Sequence, residues 1–392
     1  MPTHRTPLAW KNLTHDWRRL VVAVGGILFA VLLMFVEIGF MFALFDSTVK
    51  ILDDVKADVV LLNPARYALP ADKRIPIMRL QQAQSVPGVM AVHPIYIERT
   101  TAVLYPTPSG KGFPIRVIGY PVGADVFKSP AVDEHGNLLS EPNTAIIDSQ
   151  SKRPNFDFAL DGLETATRVD TELSGRRLQL VGTFAMGTDF ANDGNLIMSD
   201  RNFADYFRWR GGGKPLSTVD LALVQVDPDA DVETVRQQID DLLGKDVAVL
   251  ATHSYRAREV LFWRESTPIG LVFQMGVLLG FVVGVIICYQ VIYTDVADHM
   301  AEFATLKAMG YGKGYFVRLV ITEALLLSIL GFIPGLLIAW GIYFGLAQAT
   351  GLLMLITPAR AAVVLLLTIV MCIASGLLAL RKLLAADPAE LF

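Results

Sequence analysis

The protein has 392 residues, of which 53% are hydrophobic and 18% are charged, a balance too apolar for an ordinary soluble protein. The formal net charge is −4 with no concentration of basic residues, so the composition excludes a nucleic-acid-binding surface of the usual basic kind. Both cysteines, Cys288 and Cys372, lie in apolar runs, which excludes a disulfide or a cysteine metal site in the polar middle of the chain. We therefore predict a membrane protein with a sizeable water-facing domain.

The first 45 residues predict a cytoplasmic leader followed by a membrane span. Residues 1–19 carry several basic side chains together with Trp10 and Trp17, and positive charge is retained on the cytoplasmic side of a membrane. Residues 20–45 are apolar, and a span needs roughly 20 such residues. This run is too long for the core of a signal peptide and has no convincing small-residue cleavage site. A retained first span with a cytoplasmic N-terminus is predicted.

One carboxylate, Glu37, interrupts the first span. Inserting a carboxylate within a bilayer costs about 2.5–3.5 kcal/mol on insertion scales, so the side chain is expected to face protein or water rather than lipid. It has two interpretations, either a part of a substrate or proton path or a hydrogen-bonding contact between helices or protomers. The helix contact is the interpretation that we favour.

Residues 46–266 predict an extracytoplasmic α+β domain large enough for its own core. Two parts of it repeat the order strand, helix, strand, at residues 58–62, 75–85 and 89–97 and again at residues 219–226, 231–243 and 247–250. Two such βαβ-like units predict one subdomain that is folded from both ends of the segment. Residues 105–216 predict an inserted β-rich subdomain, with strands at residues 115–119, 145–148, 178–184 and 195–198.

This domain contains no pattern that is typical of an enzyme. Its histidines are isolated, and the polar turn of Asp189, Asn192, Asp193 and Asn195 does not have the spacing of a calcium-binding loop. No segment of the chain has the glycines, lysine and hydroxyl residue of a phosphate-binding loop. We therefore predict no catalytic residue, no metal site and no cofactor bound by this chain.

A helix at residues 253–267 is predicted to lead from this domain into the membrane. If it is continuous with the next span, it forms a stalk that can carry movement between the two. The alternative is an anchor at the membrane interface that uses Phe262 and Trp263. Pro268 marks the junction.

The remainder of the chain predicts three further spans. The segments are a second span at residues 268–293, a cytoplasmic segment at 294–316, a third span at 317–346, a periplasmic loop at 347–360, a fourth span at 361–380 and a cytoplasmic tail at 381–392. Arg381 and Lys382 place the C-terminus inside, in agreement with the N-terminal charges and an even number of spans.

The polar segment between the second and third spans predicts a short helix of its own. Thr294 or Asp295 can cap its start and Gly310 can close it. An apolar stripe at helical spacing consists of Val296, Met300, Phe303 and Leu306. Such a helix can be the contact through which a partner protein moves the spans, or it can be a solvated connection between them. Spacing alone does not distinguish these two interpretations.

Three segments resemble the DevC-type permease subunit of ABC exporters. They are LAWKNLTHDWRRLVVAVGGILFAVLLMF (8–35), YTDVADHMAEFATLKAMGYGKGYF (293–316) and LRKLLAADPAELF (380–392), and the EFATLKAMGY portion (302–311) is fairly specific. This type is a branch of a group that includes the MacB, LolC, LolE and FtsX membrane proteins. The outer domain is similar mainly in layout. Glu37 departs from the group, in which Gln is common at the equivalent place.

The resemblance implies an architecture and a set of partners. The fold is an α-helical membrane protein with four transmembrane helices plus a large extracytoplasmic domain, made of a porter-like βαβ subdomain with an inserted β-rich subdomain. The chain is expected in the bacterial inner membrane as a homodimer with two ATP-binding subunits, which hold ATP and Mg. A periplasmic adaptor (membrane fusion) protein, a TolC-like outer-membrane channel and membrane lipids complete the system. Coupling to the ATPase is assigned to Asp295, Asp298, Glu302, Phe303, Thr305, Leu306, Lys307 and Gly310.

The function that the resemblance implies is export of lipid-like or amphipathic cargo, driven by ATP hydrolysis in the partner subunit. Two alternatives stay open, an FtsX-like transmembrane regulator of a periplasmic enzyme and LolC/LolE-like release of lipoproteins. A secondary transporter is disfavoured, because four spans with one polar cytoplasmic helix offer no inverted repeat.

Overall fold

A computed structural model describes residues 10, 17–106, 110–298, 305, 309–350, 352 and 354–384 of the chain. It divides into two compact units. The first, the helical unit, comprises Met1–Phe42, Ile269–Gly345 and Met354–Phe392, and the second, the sheet unit, comprises Ala43–Pro268 and Leu346–Leu353. Each unit has a buried apolar core of its own.

The helices are α1 (Trp17–Asp54), α2 (Met78–Gln84), α3 (Pro130–Glu134), α4 (Gly136–Leu139), α5 (Arg153–Thr165), α6 (Asp200–Tyr206), α7 (Val232–Leu243), α8 (Thr252–Glu265), α9 (Pro268–Asp298), α10 (Lys313–Thr350) and α11 (Pro358–Leu384). Within the described residues, four helical stretches are long and apolar enough to cross a membrane, at Trp17–Asp54, Pro268–Thr294, Gly314–Ala347 and Pro358–Arg381. Their lengths meet the requirement of about 20 apolar residues for a span.

Glycines bring α10 close to α1 in the helical unit. Gly331 and Gly335 are one turn apart on α10, and a Cβ atom on them would lie 2.4 Å from Ile27 and 2.7 Å from Val31 of α1. Real Cβ atoms do not approach other atoms so closely, so only glycine fits at these two positions. Small residues are enriched where membrane helices pack, because packing drives their association in the absence of a hydrophobic force between them.

Helix α9 carries a second row of glycines, Gly276, Gly280 and Gly284, spaced four residues apart. A Cβ atom on Gly280 would lie 3.0 Å from Leu33 of α1. Helix α11 also contacts α9, since the Ser375 hydroxyl donates to the Val285 carbonyl at 2.9 Å. The four apolar helices therefore pack through backbone contacts as well as side chains.

The predicted start of the polar helix after the second span is wrong. Neither Thr294 nor Asp295 caps a new helix, because α9 continues through both residues to Asp298. The Thr294 hydroxyl donates to the Gln290 carbonyl at 2.8 Å, which is the hydrogen bond of a threonine inside a helix. The polar composition of residues 294–298 marked the end of the apolar run, and the helix extends beyond that run.

The stalk that the sequence allows is interrupted. Helix α8 ends at Glu265 with Ser266 as its C-cap, and α9 begins at Pro268, so the hypothesis of one continuous helix is wrong. Proline is suited to the first turn of a helix, where its missing N–H is not needed. The Thr267 hydroxyl donates to the Trp263 carbonyl at 2.7 Å and satisfies one of the last acceptors of α8.

The strands of the sheet unit are β1 (Val59–Leu62), β2 (Ile75–Pro76), β3 (Val89–Glu98), β4 (Val103–Pro106), β5 (Phe113–Pro114), β6 (Arg116–Tyr120), β7 (Thr144–Asp148), β8 (Val169–Leu173), β9 (Arg176–Phe184), β10 (Asn195–Ser199), β11 (Thr218–Val219), β12 (Leu221–Val226) and β13 (Ala248–Ala251). Among the described residues they form a mixed sheet in the order β13-β1-β12-β3-β6-β10-β7-β9-β8-β4-β5, and a small sheet of β11 and β2.

The strand, helix, strand order predicted at both ends of residues 46–266 is observed, and the two βαβ units within the sheet interlock. Strand β12 lies between β1 and β3, while β1 lies between β12 and β13, and each neighbouring pair is antiparallel. Each βαβ unit is thus split by a strand of the other unit. Helix α7 shows why the local sequence folds this way: Asp231 accepts from the Thr234 N–H at its start, and Val235, Ile239 and Leu243 are buried at helical spacing.

Both faces of the sheet are covered, as alternation along β1 shows. Val59 and Leu61 belong to one buried cluster, and Val60 and Leu62 belong to another. Residues 105–216 extend the same sheet, because β6 pairs with β3 at Ile118 opposite Ile97. This segment also contains helices α3 to α6 and strands β4, β5 and β8, which the sequence did not predict.

Candidate functional site

The predicted coupling segment is partly described. Asp295 and Asp298 belong to the last residues of α9 rather than to the start of a separate helix. Thr305 is helical and exposed, and Gly310 is exposed in a turn. The other four predicted coupling residues lie outside the described residues: Glu302, Phe303, Leu306 and Lys307.

One turn of this segment is well defined. The Met309 N–H donates to the Thr305 carbonyl at 3.0 Å, and Gly310 follows with φ 94°. This left-handed conformation is the one that glycine commonly adopts just after a helix, because glycine has no Cβ atom to clash. The structure therefore brings Thr305 and Gly310 into one turn between the second and third candidate spans.

Apolar and aromatic side chains are exposed beside this turn. Met309 is 64% exposed, and Tyr311 and Tyr315 are also exposed, with ring centroids 4.6 Å apart. Exposed apolar residues that are adjacent to one another are a feature of surfaces that bind a partner. The signal in the sequence was limited to the polar composition between two apolar runs, so this patch was not predicted.

Glu37 is half-buried in α1 and lies against α9. A Cβ atom on Gly276 would be 2.3 Å from the Glu37 carboxyl carbon, so the carboxyl group occupies the space that the glycine leaves. The Glu37 carboxyl group of α1 therefore lies against the backbone of α9, as a contact between helices requires.

Sequence reasoning missed a second carboxylate in the candidate spans, Glu323. It is only 1% exposed and lies in α10. A signal was present, because Glu323 stands within the apolar run that predicts the third span. Ionisable residues inside membrane helices are rare and face protein or water-filled space.

The sheet unit contains a buried cluster of charges centred on Asp220. Arg66 donates to Asp220 Oδ1 at 2.6 Å, Arg210 donates to Asp220 Oδ2, and the Ile97 N–H donates to the same Oδ2 at 2.8 Å. Arg210 also pairs with Glu98 at 3.5 Å. Buried charges need such compensation because desolvation penalises them strongly. No spacing in the sequence could reveal this cluster, since Arg66 and Ile97 are more than 100 residues from Asp220 in the chain.

The polar turn at residues 189–195 is held by hydrogen bonds and an ion pair within the fold. Asp189 accepts from Arg116 at 2.8 Å and from the Asn192 amide at 2.9 Å, and Asn195 donates to Asp148 at 2.7 Å. In the part of the chain that the structure describes, no three His, Cys, Asp or Glu side chains converge as metal ligands.

Glu259 of α8 is fully buried and holds two neighbours in place. Its carboxylate accepts from the Leu69 N–H at 2.9 Å and from the Trp263 indole N–H at 3.0 Å. Burial raises the pKa of the Glu259 carboxyl above its ordinary value, and the hydrogen bonds from Trp263 and Leu69 oppose that shift. Glu259 therefore positions both the segment before β2 and the Trp263 ring.

Two family models match separate parts of the chain. The model of the MacB-like periplasmic core domain matches residues 20–242, and the model of the FtsX-like permease C-terminal region matches residues 275–388. No curated protein sequence matches the chain.

Two solved structures are similar to part of it. One is the periplasmic region of MacB from Actinobacillus actinomycetemcomitans, 12% identical, covering 51% of this chain and 90% of that chain with a TM-score of 0.34. The other is the extracellular domain of the noncanonic ABC-type transporter YknZ from Gram-positive bacteria, 13% identical, covering 49% of this chain and 98% of that chain with a TM-score of 0.34.

The predicted fold class, four transmembrane helices plus a large α+β domain, is confirmed, and so is the family resemblance. The MacB-like model covers more than half of the chain, and the FtsX-like model covers most of its C-terminal part. The chain therefore belongs to the MacB/FtsX-like family of ABC-transporter permeases, which are inner-membrane proteins.

Proposed function

We propose that the chain is the permease subunit of an ABC exporter of the DevC/MacB type. The observation that carries this proposal is the combination of a MacB-like core match at residues 20–242 with four candidate spans, of which the second and third flank a polar segment. The permease is a homodimer that binds two copies of a separate ATP-binding subunit. This chain is not catalytic, because ATP and Mg are held by that partner.

The end of α9, together with the segment between α9 and α10, is the contact with the ATP-binding subunit. Its proposed coupling residues are Asp295, Asp298, Glu302, Phe303, Thr305, Leu306, Lys307 and Gly310. The exposed side chains of Met309, Tyr311 and Tyr315 support a partner surface here. When the ATPase dimer closes, the segment moves, α9 transmits the movement, and the sheet unit changes its conformation.

Both chain termini and the coupling segment are cytoplasmic, and the sheet unit is periplasmic. Positive charge at residues 1–19 and at Arg381 and Lys382 supports this orientation. A periplasmic adaptor and a TolC-like outer-membrane channel continue the path. The cargo is lipid-like or amphipathic and is taken up outside the inner membrane, so no wide channel through the bilayer is needed.

Two substitutions in the coupling segment test the proposal. Phe303→Asp and Lys307→Glu are expected to weaken binding of the ATP-binding subunit, because each places a negative charge in the contact surface, while membrane insertion is unchanged. Co-purification of the two subunits and ATPase activity stimulated by the permease, after reconstitution, are the measurements. Lys245→Glu, an exposed lysine of the sheet unit, is the matched control and should behave as the unsubstituted protein.

Normal ATPase stimulation in both coupling variants would rule out the assigned contact. Purification of the intact complex separates the remaining alternatives. Recovery of an adaptor supports export, whereas recovery of a cell-wall hydrolase in its place would favour an FtsX-like regulator. Recovery of a lipoprotein carrier would favour lipoprotein release.

A further inference from the structure

A cleft in the sheet unit is lined by apolar and aromatic side chains, by the hydrogen-bonded polar residues Arg116, Asp189, Asn192 and Glu259, and by one cation, Arg99, that has no partner among the described residues. We name it the Arg99 cleft and define it by Leu69, Pro70, Ile97, Arg99, Phe190 and Trp263. A second, adjoining pocket shares Leu69, Pro70, Ile97 and Arg99, so Arg99 stands where the two pockets meet. All these residues belong to the sheet unit.

Arg99 differs from the arginines around it. Arg66 and Arg210 are bound to Asp220, and Arg116 is bound to Asp189. Arg99 is half-buried, and among the residues that the structure describes no side chain or carbonyl group hydrogen-bonds or pairs with its guanidinium group. The buried acids near the cleft are already committed to other arginines or to N–H donors. The cleft therefore has a cation available for an anion from outside the chain.

The walls of the cleft suit an apolar chain. Leu69 and Ile97, which line it, are buried, and Phe190 is 44% exposed. Trp263 is oriented by its hydrogen bond to the buried Glu259. The neighbouring Phe262 ring contacts Tyr67, with ring centroids 5.3 Å apart, and Tyr67 is itself exposed. Tyrosine and tryptophan favour the boundary between lipid and water, because one end of each side chain is apolar and the other is polar.

The cleft is also close to a candidate span along the chain. Trp263 stands in the last turn of α8, and α9, with the second candidate span, begins at Pro268. An extended chain advances at most about 3.6 Å per residue, so the short connection limits how far Trp263 can lie from the start of that span. Trp263 is therefore close to the start of that span along the chain.

We infer that the Arg99 cleft binds an anionic amphiphile of the membrane, with its negatively charged head group on the Arg99 guanidinium and its chain along Phe190 and Trp263. A guanidinium group presents paired N–H donors that match phosphate and carboxylate oxygens. The aromatic walls exclude water from the apolar part of the ligand. This inference deepens the proposed function and rests on it, because it makes the cleft the first binding site for lipid-like cargo.

Photochemical labelling tests the site. The full complex is placed in nanodiscs of phosphatidylcholine that contain a photoactivatable phosphatidylglycerol, and labelled peptides are identified by mass spectrometry without ATP. Label is expected on peptides that contain Phe190 or Trp263. Arg99→Gln should reduce it about tenfold, the effect of losing a hydrogen bond between charged groups. Phe190→Ala should reduce it as well. Arg99 has no partner to lose among the described residues, so the substitution should not unfold the protein.

Arg208→Gln is the matched control, since Arg208 is exposed and pairs only with Asp205 on the surface. Equal labelling of the Arg99→Gln variant, or equal labelling by a photoactivatable phosphatidylcholine, would overturn the inference. Competition by free glycerol phosphate as strong as that by phosphatidylglycerol would also overturn it, because the site would then bind a soluble anion. Labelling is read without ATP, so its failure is separate from failure of coupling to the ATPase.

Discussion

The buried charge of Asp220 in the sheet unit is compensated by ion pairs and hydrogen bonds. Asp220 joins Arg66, which is distant in the chain, to Arg210, which is near, and it also accepts from the backbone of β3. Removing one partner of such a buried pair commonly costs about 3–5 kcal/mol, because the other charge is left uncompensated. Arg99, beside this cluster, is therefore distinctive for the lack of such a partner in the described chain.

Glu259 makes stability depend on pH in a direction that can be tested. Its pKa is raised in the folded protein, chiefly by burial, so the folded state holds a proton that the unfolded state has lost. Stability should therefore fall as the pH rises from the ordinary pKa of a glutamate towards the raised pKa. Glu259→Gln lacks this group, so the unfolding temperature of the unsubstituted protein should fall relative to that of the variant as the pH rises above the ordinary pKa of a glutamate.

Glu141 provides a control in which stability changes with pH in the opposite direction. Hydrogen bonding from Arg168 lowers the pKa of the exposed Glu141 carboxyl, so the stability it contributes is present above its ordinary pKa and is lost as the pH falls. The unsubstituted protein should gain stability relative to Glu141→Gln as the pH rises. A difference between unsubstituted protein and Glu259→Gln that stays constant with pH would contradict the role of burial at Glu259.

At the scale of elements, the helical unit depends on glycines that let helices approach. Composition and hydropathy identified the apolar helices, but not which faces of them meet. The row of Gly276, Gly280 and Gly284 could be noted in the sequence, yet its partner helix could not. Only the packed structure shows that Gly276 lies against Glu37, and that Gly331 and Gly335 lie against α1.

Alanine substitutions at two glycines of α10 are expected to have different effects on stability. Gly331→Ala should destabilise the helical unit by about 1–3 kcal/mol, because the new methyl group meets Ile27 at 2.4 Å. Gly345→Ala should be neutral or stabilise the helix by up to about 1 kcal/mol, because nothing lies within 4 Å of its added Cβ atom. Thermal unfolding of the purified protein in detergent measures both. Equal behaviour of the two variants would show that α10 does not pack on α1 in this way.

For the whole molecule, the proposed mechanism requires that closure of the ATPase dimer changes the conformation of the sheet unit. Residues 99–102 connect β3 to β4, and residues 207–217 connect α6 to β11. Arg210 lies in the second connection and donates to Asp220 and to the Ile97 carbonyl near the end of β3, so the Asp220 cluster lies beside both connections. We expect any movement of the inserted strands relative to the βαβ strands to occur at these connections.

A non-hydrolysable ATP analogue added to the complex should change hydrogen exchange in these connections. Lys307→Glu should suppress the change, because the coupling segment no longer follows the ATPase. Lys245→Glu is the control and should retain it. The same change in exchange in the Lys307→Glu complex would show that the coupling segment does not transmit the signal.

The sequence by itself determined the membrane class, the four apolar spans and the repeated strand, helix, strand order. These features arise from local periodicity and run length, which are properties of neighbouring residues. It misplaced the start of the polar helix, because a helix can continue past the end of its apolar run. It missed strands β4 and β5, which are short, and it also missed β8, whose sequence VDTEL is interrupted by two acidic residues.

Only the tertiary structure decided that the two βαβ units interlock, that the inserted strands extend one sheet, and that Arg99 lies beside Phe190 and Trp263 with no partner in the described part of the chain. Each of these depends on residues that are far apart in the chain and meet only after folding. Pairing of strands and compensation of charge are settled by contacts in space, and one sequence does not record which of its many possible contacts will form.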